Sequence, residues 1–452
     1  MQRRHFLRAL GATAAGLAAM RAAFGEDSAT NYIARVPADT GAAGNVIVIG
    51  GGMAGASAAK YLRVWGGQRV KVTMIERAPS YVSNIMSNLV LNGSRTISGL
   101  TYKWDKLVAN YGVERIQADV IAIDAAGRTV TLAGGQKLSY DRLVIAPGIA
   151  FDSIPGLPTA ALQAQFPHAW QAGASTTTLR DQIRAMPSGG TFVMTIPKAP
   201  YRCPPGPYER ACVVADWLKR NRPGSKVIVL DENSGIVAEK ESFTREFEQT
   251  HAGVIEYRPS EILVSVDPVS KAVITTNSLM NTTQAWKGNV LNPIPRQRAP
   301  KILADAGMLN AANPNESEPK WVKVDAKSYE HLDTLRFPNV HVIGDPAAHG
   351  MPKAGHVATM EARVCADAIT RYLRGDRPMD NPVANTACYS PITFETASWL
   401  TAMYQYDSAS RQMKAFEYAT GMFASGEAGV ADKDNFDQMN KWFVQLMADT
   451  FA

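Results

Sequence analysis

The sequence has 452 residues, of which 46% are hydrophobic and 19% are charged, so it is long enough for two or three globular domains. Its formal net charge is +6, but Arg3, Arg4, Arg8 and Arg21 account for four of those charges and leave +2 for residues 26–452. A charge this close to neutral argues against a protein that binds nucleic acid through a basic surface.

The first 25 residues have the features of a twin-arginine export signal. Arg3-Arg4-His5-Phe6-Leu7 precedes a weakly apolar run from Ala9 to Met20, and small residues follow near Ala22. The apolar run is too short and too rich in alanine and glycine to be a membrane-spanning helix. We therefore expect residues 1–25 to be a signal peptide and the mature protein to be periplasmic, where disulfides persist.

A glycine-rich motif follows the first predicted strand, Asn45–Ile49, and leads into a predicted helix. Gly50, Gly52 and Gly55 form the pattern G-x-G-x-x-G. The first glycine permits a tight turn, the second lets a pyrophosphate approach the backbone, and the third lets the helix lie close to the strand. The unpaired amides at the start of the helix would then hold the phosphates.

The second predicted strand, Val70–Ile75, ends at Glu76 and Arg77, where a dinucleotide-binding fold places its ribose-binding acid. A small meander of strands is predicted over 120–138. A further buried strand then leads from a Tyr-Asp pair to Ala146 and Gly148, and this segment resembles the second fingerprint of flavoproteins with two dinucleotide folds. The combination points to FAD rather than NAD as the ligand.

A second α/β unit begins with the predicted strands Thr191–Ile196 and Lys226–Asp231. In pyridine-nucleotide reductases the turn after the first of these strands carries another glycine-rich motif. Here residues 197–207 are rich in proline, which lacks the amide donor that a pyrophosphate needs. We therefore expect the nicotinamide site to be lost, with Cys203 in its loop.

The chain then returns to the first unit. A strand that ends at Gly344 and Asp345 resembles a third flavin fingerprint, and Lys353 and Gly355 precede a predicted helix over 356–373. The start of that helix can face the flavin and stabilise negative charge on it. On a late helix, apolar residues form a stripe typical of a packing or docking face, namely Phe436, Met439, Trp442, Phe443, Leu446 and Met447.

These patterns predict an α/β fold with two dinucleotide-binding domains and a C-terminal α+β region. The expected ranges are 45–150 for the first half of the FAD domain, 151–285 for the second unit, 286–378 for the second half of the FAD domain, and 379–452 for the C-terminal flavin and cytochrome interface region.

The sequence resembles the flavoprotein subunit of flavocytochrome c sulfide dehydrogenase, a glutathione-reductase-like relative of sulfide:quinone reductase. Besides the three fingerprints, the resemblance includes Asn-Pro-Ile-Pro at 292–295 and Met-Pro-Lys at 351–353. Its most specific part is Cys-Pro-Pro-Gly-Pro-Tyr-Glu-Arg at 203–210, and Cys-Tyr-Ser follows at 388–390.

The resemblance implies an FAD-dependent sulfide:cytochrome c oxidoreductase. It also implies a redox-active disulfide between Cys203 and Cys388 beside the flavin, with Glu209 as an acid or base near it. Family members often attach FAD through a cysteine at the position of Asn84, so FAD is expected to be non-covalent here. Haem is expected on a separate c-type cytochrome subunit, since this chain has no Cys-x-x-Cys-His motif.

Several alternatives stay open at this point. The protein could be a sulfide:quinone reductase, or a flavin electron-relay subunit without sulfur chemistry. The cysteine pair could be structural, as it is in many exported proteins, and Glu209 could be paired with Arg202 or Arg210. We expect Cys212 and Cys365 to be buried thiols. His349 and His356 give only a weak metal signal, and no metal site is predicted.

Overall fold

An eight-stranded sheet forms the centre of the first dinucleotide-binding unit. The structure, a computed structural model, describes residues 35–309, 320–416 and 430–452, and the predicted export signal lies outside these ranges. In spatial order the strands of this sheet are β22 (Ala347–Ala348), β19 (Val322–Asp325), β20 (Glu330–His331), β21 (Val340–Val342), β9 (Arg142–Ile145), β1 (Gly44–Ile49), β2 (Val70–Ile75) and β5 (Glu114–Ile116).

The middle of this sheet is parallel, which brings the predicted fingerprints together. Ile49 lies opposite Ile75 on β2 and opposite Ile145 on β9, and β21 pairs in parallel with β9. The turns after these strands therefore meet at one edge of the sheet, where parallel α/β folds bind their ligands.

Helices pack on this sheet, and apolar residues of its central strands are buried. Val46, Val48, Val72 and Leu143 are all buried. Helix α1 (Met53–Gly66) follows β1, and α9 (Gly355–Tyr372) packs against α1. The helix predicted over 356–373 is thus present, one residue earlier in the chain.

The second sheet is fully parallel and has four strands. Their order is β13 (Ile255–Pro259), β12 (Lys226–Asp231), β11 (Thr191–Ile196) and β17 (Val290–Pro293). The sequence placed the end of this unit at residue 285, whereas β17 lies beyond it. The reason is that β17 pairs with β11, with Asn292 opposite Met194.

The remaining strands form small sheets around these two. They are β3 (Tyr81–Val82) with β4 (Thr101–Tyr102), the predicted meander β6 (Val120–Asp124), β7 (Thr129–Leu132) and β8 (Lys137–Ser139), β10 (Ala150–Phe151) with β18 (Gln297–Arg298), and β14 (Glu261–Asp267), β15 (Ala272–Asn277) and β16 (Thr282–Lys287).

Seven further helices in the described ranges connect these strands. They are α2 (Asn88–Asn92), α3 (Asp105–Tyr111), α4 (Ala160–Gln165), α5 (Ala174–Arg184), α6 (Gly206–Asn221), α7 (Lys240–Arg245) and α8 (Lys301–Asp305). A 3₁₀ turn spans Ser98–Leu100, and a π-helical turn spans Glu246–Thr250.

The C-terminal region consists of an antiparallel sheet and a long helix. The sheet contains β23 (Val383–Pro391), β24 (Ala397–Asp407) and β25 (Gln412–Ala415), and the helix is α10 (Lys433–Phe451). Helix α10 packs against α1 and β24 with part of the predicted stripe, since Met439 and Phe443 are buried. The predicted α/β class with two dinucleotide-binding sheets is therefore confirmed.

Candidate active site

A cavity of about 800 Å³ runs from the turn after β1 to the cysteine loop before α6. This volume is in the range of small-molecule and cofactor sites. Thirteen of the residues predicted from the sequence line it: Gly50, Gly52, Glu76, Arg77, Asn84, Ala146, Gly148, Cys203, Glu209, Gly344, Asp345, Gly355 and Cys388. Gly55 and Lys353 do not.

The glycine-rich turn leaves one open position toward the cavity. A Cβ on Gly50 would lie 2.3 Å from the Ala146 carbonyl oxygen, and one on Gly55 would lie 1.9 Å from the Gly50 carbonyl oxygen. Around Gly52, by contrast, the nearest atom to an added Cβ is a Tyr81 ring carbon at 3.7 Å. The turn therefore packs tightly on the protein side and is open where a pyrophosphate would approach the first amides of α1.

Glu76 is fixed at the edge of this turn. Its Oε2 accepts a hydrogen bond from the Gly51 amide at 2.7 Å, and its Oε1 accepts one from the Ala78 amide at 2.8 Å. Each carboxylate oxygen can accept a second bond, so a ribose hydroxyl can still donate to it. Trp104 was not predicted from the sequence to belong to this site. Its indole nitrogen donates to the Gly51 carbonyl at 2.8 Å and supports the same turn.

Asp345 lies at the cavity wall and is paired with Arg202. The Arg202 Nε lies 2.7 Å from Asp345 Oδ2, which connects the third flavin fingerprint to the residue before Cys203. Arg202 was not predicted from the sequence to be a site residue. The feature of the sequence that could have identified it is its position directly before Cys203 in the loop.

Lys353 has a different role from the predicted cofactor contact. Its ammonium donates to the carbonyl oxygens of Asp345 at 2.6 Å and Ala347 at 2.9 Å, and it lies 3.9 Å from the Trp321 ring centroid. Burial lowers the pKa of Lys353 to about 8. Lys353 therefore stabilises the turn that carries Asp345 and does not line the cavity, because its side chain points into the protein.

The two predicted active-site cysteines meet in the cavity. Cys388 on β23 and Cys203 in the loop before α6 both line the cavity, and in the structure both are free thiols. The interaction between the two thiols lowers the pKa of Cys203 and raises that of Cys388. A disulfide between them stays a prediction.

The backbone holds Cys203 in a strained conformation. Its φ of +59° lies in the left-handed region, which is uncommon for residues other than glycine and occurs often at functional sites. Its amide donates to the Lys353 carbonyl at 2.7 Å, and its carbonyl accepts from the Gly206 amide at 2.9 Å. The start of α6 thus lies next to this sulfur, where a helix dipole favours a thiolate.

Glu209 lies in the first turn of α6 and is only 7% exposed. Burial, and then the proximity of Cys203, raise the pKa of Glu209 well above its usual range. Its Oε1 accepts a hydrogen bond from Asn88 Nδ2 at 2.8 Å. Within the described residues, neither Arg202 nor Arg210 forms an ion pair with it, so the open alternative of a salt-bridged acid is not what the structure shows.

A second carboxylate, Glu239, lies close to the cysteines and was not found from the sequence. It precedes α7 in a left-handed conformation with φ of +51°. Its two oxygens accept hydrogen bonds from the hydroxyls of Ser390 at 2.9 Å and Ser398 at 2.7 Å. Ser390 lies two residues after Cys388 on β23, and therefore on the same face of that strand.

The loop that would bind NAD in related reductases uses its amides internally. The Lys198 amide donates to Glu232 at 2.9 Å, and the Ala199 amide donates to Asn233 at 3.0 Å. The Arg202 amide donates to Gln297 at 2.8 Å. These bonds, together with the prolines, leave a poor cradle for a second pyrophosphate.

The other two cysteines and His349 lie outside the cavity, whereas His356 lines it. Cys212 and Cys365 are fully buried, and burial raises the pKa of both thiols. His349 Nε2 lies 3.0 Å from Glu361 Oε1, and His356 Nδ1 accepts from the Ala387 amide at 3.0 Å. No group of three potential metal ligands occurs among the described residues.

None of the helices in the described ranges is both long and apolar enough to cross a membrane.

The aromatic residues Trp442 of α10 and Tyr389 of β23 lie 5.5 Å apart between ring centroids, and both line the cavity beside Cys388. The C-terminal region therefore forms one wall of the site.

Three known families match successive parts of the chain. Residues 44–184 match pyridine nucleotide-disulphide oxidoreductase. Residues 176–295 match the central region of the sulfide dehydrogenase (flavocytochrome c) flavoprotein chain. Residues 380–451 match the flavin-binding region of flavocytochrome c sulphide dehydrogenase. These matches include the glycine-rich turn, the Cys203 loop and the Cys388 strand.

Individual relatives are similar to this chain over most of its length. The mitochondrial sulfide:quinone oxidoreductase of Mus musculus is 22% identical over 381 residues, which cover 82% of this chain and 80% of that protein. The solved sulfide:quinone oxidoreductase of Aquifex aeolicus has a TM-score of 0.66 at 19% identity and covers 90% of this chain and 92% of its own. The putidaredoxin reductase–putidaredoxin complex has a TM-score of 0.59 at 18% identity, with 80% and 81% covered.

At these identities the solved structures establish the fold, and the family matches carry the assignment. The flavin-binding match and the open dinucleotide cleft indicate FAD as the cofactor. The chain belongs to the flavoprotein chains of flavocytochrome c sulfide dehydrogenase, and it is the FAD-dependent component of a sulfide:cytochrome c oxidoreductase.

Proposed function

We propose that this chain oxidises sulfide at a redox-active disulfide between Cys203 and Cys388 and delivers the electrons to a c-type cytochrome. The observation that carries the proposal is the proximity of these two thiols, which interact and line the same cleft. Both come from segments that match flavocytochrome c families, although they lie 185 positions apart in the sequence.

In the first step HS⁻ attacks the sulfur of Cys388. A new S–S bond forms between sulfide and Cys388 while the Cys203–Cys388 bond breaks, and the electron pair leaves on Cys203 as a thiolate. Cys203 is the better leaving group because it lies next to the first amides of α6, which stabilise a thiolate. Sulfide is oxidised to the level of a persulfide, and the disulfide is reduced.

Glu209 takes the proton in this scheme. The persulfide on Cys388 carries the hydrogen of HS⁻, and its proton passes to the Glu209 carboxylate. A Cys203 thiolate raises the pKa of Glu209, so the carboxylate becomes a stronger base as the disulfide opens. Proton uptake and thiolate formation thereby favour one another.

FAD bound in the cleft would supply a two-electron acceptor that can release electrons singly. The residues placed to hold it are Gly52 with the first turn of α1, Glu76, and Asp345. We propose that it is bound without a covalent bond, because the cavity offers Asn84 where family members carry a cysteine. The Asn84 Oδ1 accepts from the Ala172 amide at 2.8 Å.

We further propose that the mature protein is periplasmic and that haem is held by a separate cytochrome subunit. The twin-arginine motif at Arg3 and Arg4 supports the location, and the lack of a Cys-x-x-Cys-His motif supports the separate subunit. Replacing Arg3 and Arg4 by lysine should retain the protein in the cytoplasm. Equal periplasmic activity of that variant would contradict this location.

The alternative acceptor is quinone, as the names of two relatives suggest. Steady-state assays with sulfide and either a c-type cytochrome or a water-soluble quinone distinguish the two. A preference for quinone would support the alternative.

The disulfide itself is tested by peptide mapping of the oxidised protein. We expect a cross-linked pair of peptides containing Cys203 and Cys388. One equivalent of sulfide added without oxygen should open it and add one sulfur atom to Cys388. Free thiols at both positions in fully oxidised protein would contradict the proposal.

A further inference from the structure

Asn88 lies between the proposed proton acceptor and a buried cation. Its Nδ2 donates to Glu209 Oε1 at 2.8 Å and to the Gly206 carbonyl at 3.1 Å. On the other side, its Oδ1 accepts from Arg210 Nε at 2.9 Å. Asn88 is 6% exposed and lines the cavity.

The orientation of this amide is dictated by its surroundings. Arg210 is 1% exposed and donates to His168 O at 2.8 Å, Asn292 Oδ1 at 2.9 Å and Ala169 O at 2.7 Å, and it lies 4.6 Å from the Trp170 ring centroid. Because a guanidinium only donates, the Asn88 oxygen must face Arg210 and its NH₂ group must face Glu209.

We propose that Asn88 is the positioning residue for proton transfer to Glu209. The Asn88 amide separates the Glu209 carboxylate from the Arg210 guanidinium and holds it with one neutral donor. This inference rests on the proposed function, in which Glu209 accepts the persulfide proton.

Other ionisable groups also face Glu209, and they influence its pKa together with Asn88. They are Cys203 from the preceding loop, Cys388 from β23, Glu239 from the segment before α7, and Arg210 and Cys212 from α6 itself. In the disulfide state the two cysteines carry no charge. The hydrogen bond from Asn88 then opposes burial and lowers the pKa of Glu209, which keeps more of the carboxylate ionised.

Removal of the Asn88 amide should therefore move the acid limb of the pH–rate profile, the low-pH side on which the rate falls as Glu209 is protonated, to higher pH. A buried hydrogen bond to a charged group corresponds to a shift of about one to two pH units. The assay is anaerobic stopped-flow reduction of bound FAD by sulfide, with each rate divided by the concentration of HS⁻ so that the ionisation of sulfide drops out.

Asn88→Ala is the test variant, and Asn92→Ala is its matched control. Asn92 is a buried asparagine one turn later on α2 that does not line the cavity. The control should keep the parent limb, and Glu209→Gln should lose it. If Asn88→Ala does not fold, Asn88→Asp serves, since its carboxylate can pair with Arg210 and should also move the limb upward.

Infrared spectroscopy of the oxidised protein gives a readout that does not depend on turnover. The band of the protonated Glu209 carboxyl should appear at higher pH in Asn88→Ala, and it should be missing in Glu209→Gln. If Glu209→Gln loses the limb while Asn88→Ala keeps both limb and band at the parent pH, the inference fails and the proposed function stands. If Glu209→Gln keeps the limb, Glu209 is not the proton acceptor and both are overturned.

Discussion

Two alanine substitutions in the glycine-rich turn should separate folding from cofactor binding. At Gly55 the added Cβ would lie 1.9 Å from the Gly50 carbonyl oxygen, and both groups belong to the backbone. To reach 3.0 Å, below which Cβ contacts essentially do not occur, α1 would have to move away from β1 by about 1.1 Å. Overpacking of this kind costs about 1–3 kcal/mol, so Gly55→Ala should destabilise the FAD-free protein by about 2 kcal/mol or more.

Gly52→Ala should have the opposite profile. Gly52 has φ of −73°, which any residue can adopt, and an added Cβ would be 3.7 Å from its nearest neighbour. The stability of the FAD-free protein should therefore change by less than about 0.5 kcal/mol. The methyl group would occupy the open side of the turn, so the affinity for FAD should fall about tenfold to a hundredfold.

Urea unfolding of the FAD-free protein and fluorescence titration with FAD measure the two effects. Gly235→Ala is a suitable control, because Gly235 has no atom within 4 Å of an added Cβ and lies away from the cavity. Parent stability in Gly55→Ala together with parent FAD affinity in Gly52→Ala would refute the assignment of this turn.

Three further predictions concern the cofactor. Acid or heat should release intact FAD, because Asn84 cannot form a thioether; flavin that stays with the denatured chain would contradict this. Glu76→Lys should weaken FAD binding, since an ammonium would replace the acceptor that faces the ribose, and unchanged occupancy would remove Glu76 from the site. NADH should not reduce the flavin in a stopped-flow experiment, because the amides of Lys198 and Ala199 are already bonded to side chains. Rapid bleaching by NADH would show that a nicotinamide site persists.

The strands and turns that carry the predicted flavin fingerprints could be predicted from the sequence because their physics is local. A buried β-branched strand followed by glycines, as at Gly50, or by an acid, as at Glu76, defines its own turn. The topology then brings such turns together, since β1, β2, β9 and β21 are neighbouring parallel strands. The domain boundary at residue 285 was placed before β17, which pairs with β11. Nothing in the local sequence of a single strand identifies the strand with which it pairs.

The residues that surround the cysteine pair could not be predicted from the sequence in the same way. Asn88 and Glu239 reach the cysteine pair only through tertiary packing, and neither lies in a distinctive motif. Lys353 was assigned to the cofactor because it precedes the helix whose start was expected to face the flavin, whereas in the structure its ammonium donates to two backbone carbonyls. The prediction for Lys353 failed because the sequence does not specify the direction of its side chain.

The proposed chemistry depends most directly on Cys203 and Cys388, and the rate of sulfide-dependent FAD reduction in serine variants tests it. Cys203→Ser and Cys388→Ser should each bind FAD yet abolish this reduction, and the double variant should be scarcely worse than either single variant, because the two residues act as one unit. Cys212→Ser and Cys365→Ser, which alter buried thiols outside the cavity, should reduce FAD at nearly the parent rate. If both single variants of the pair reduce FAD at the parent rate, the disulfide is not the site of sulfide oxidation.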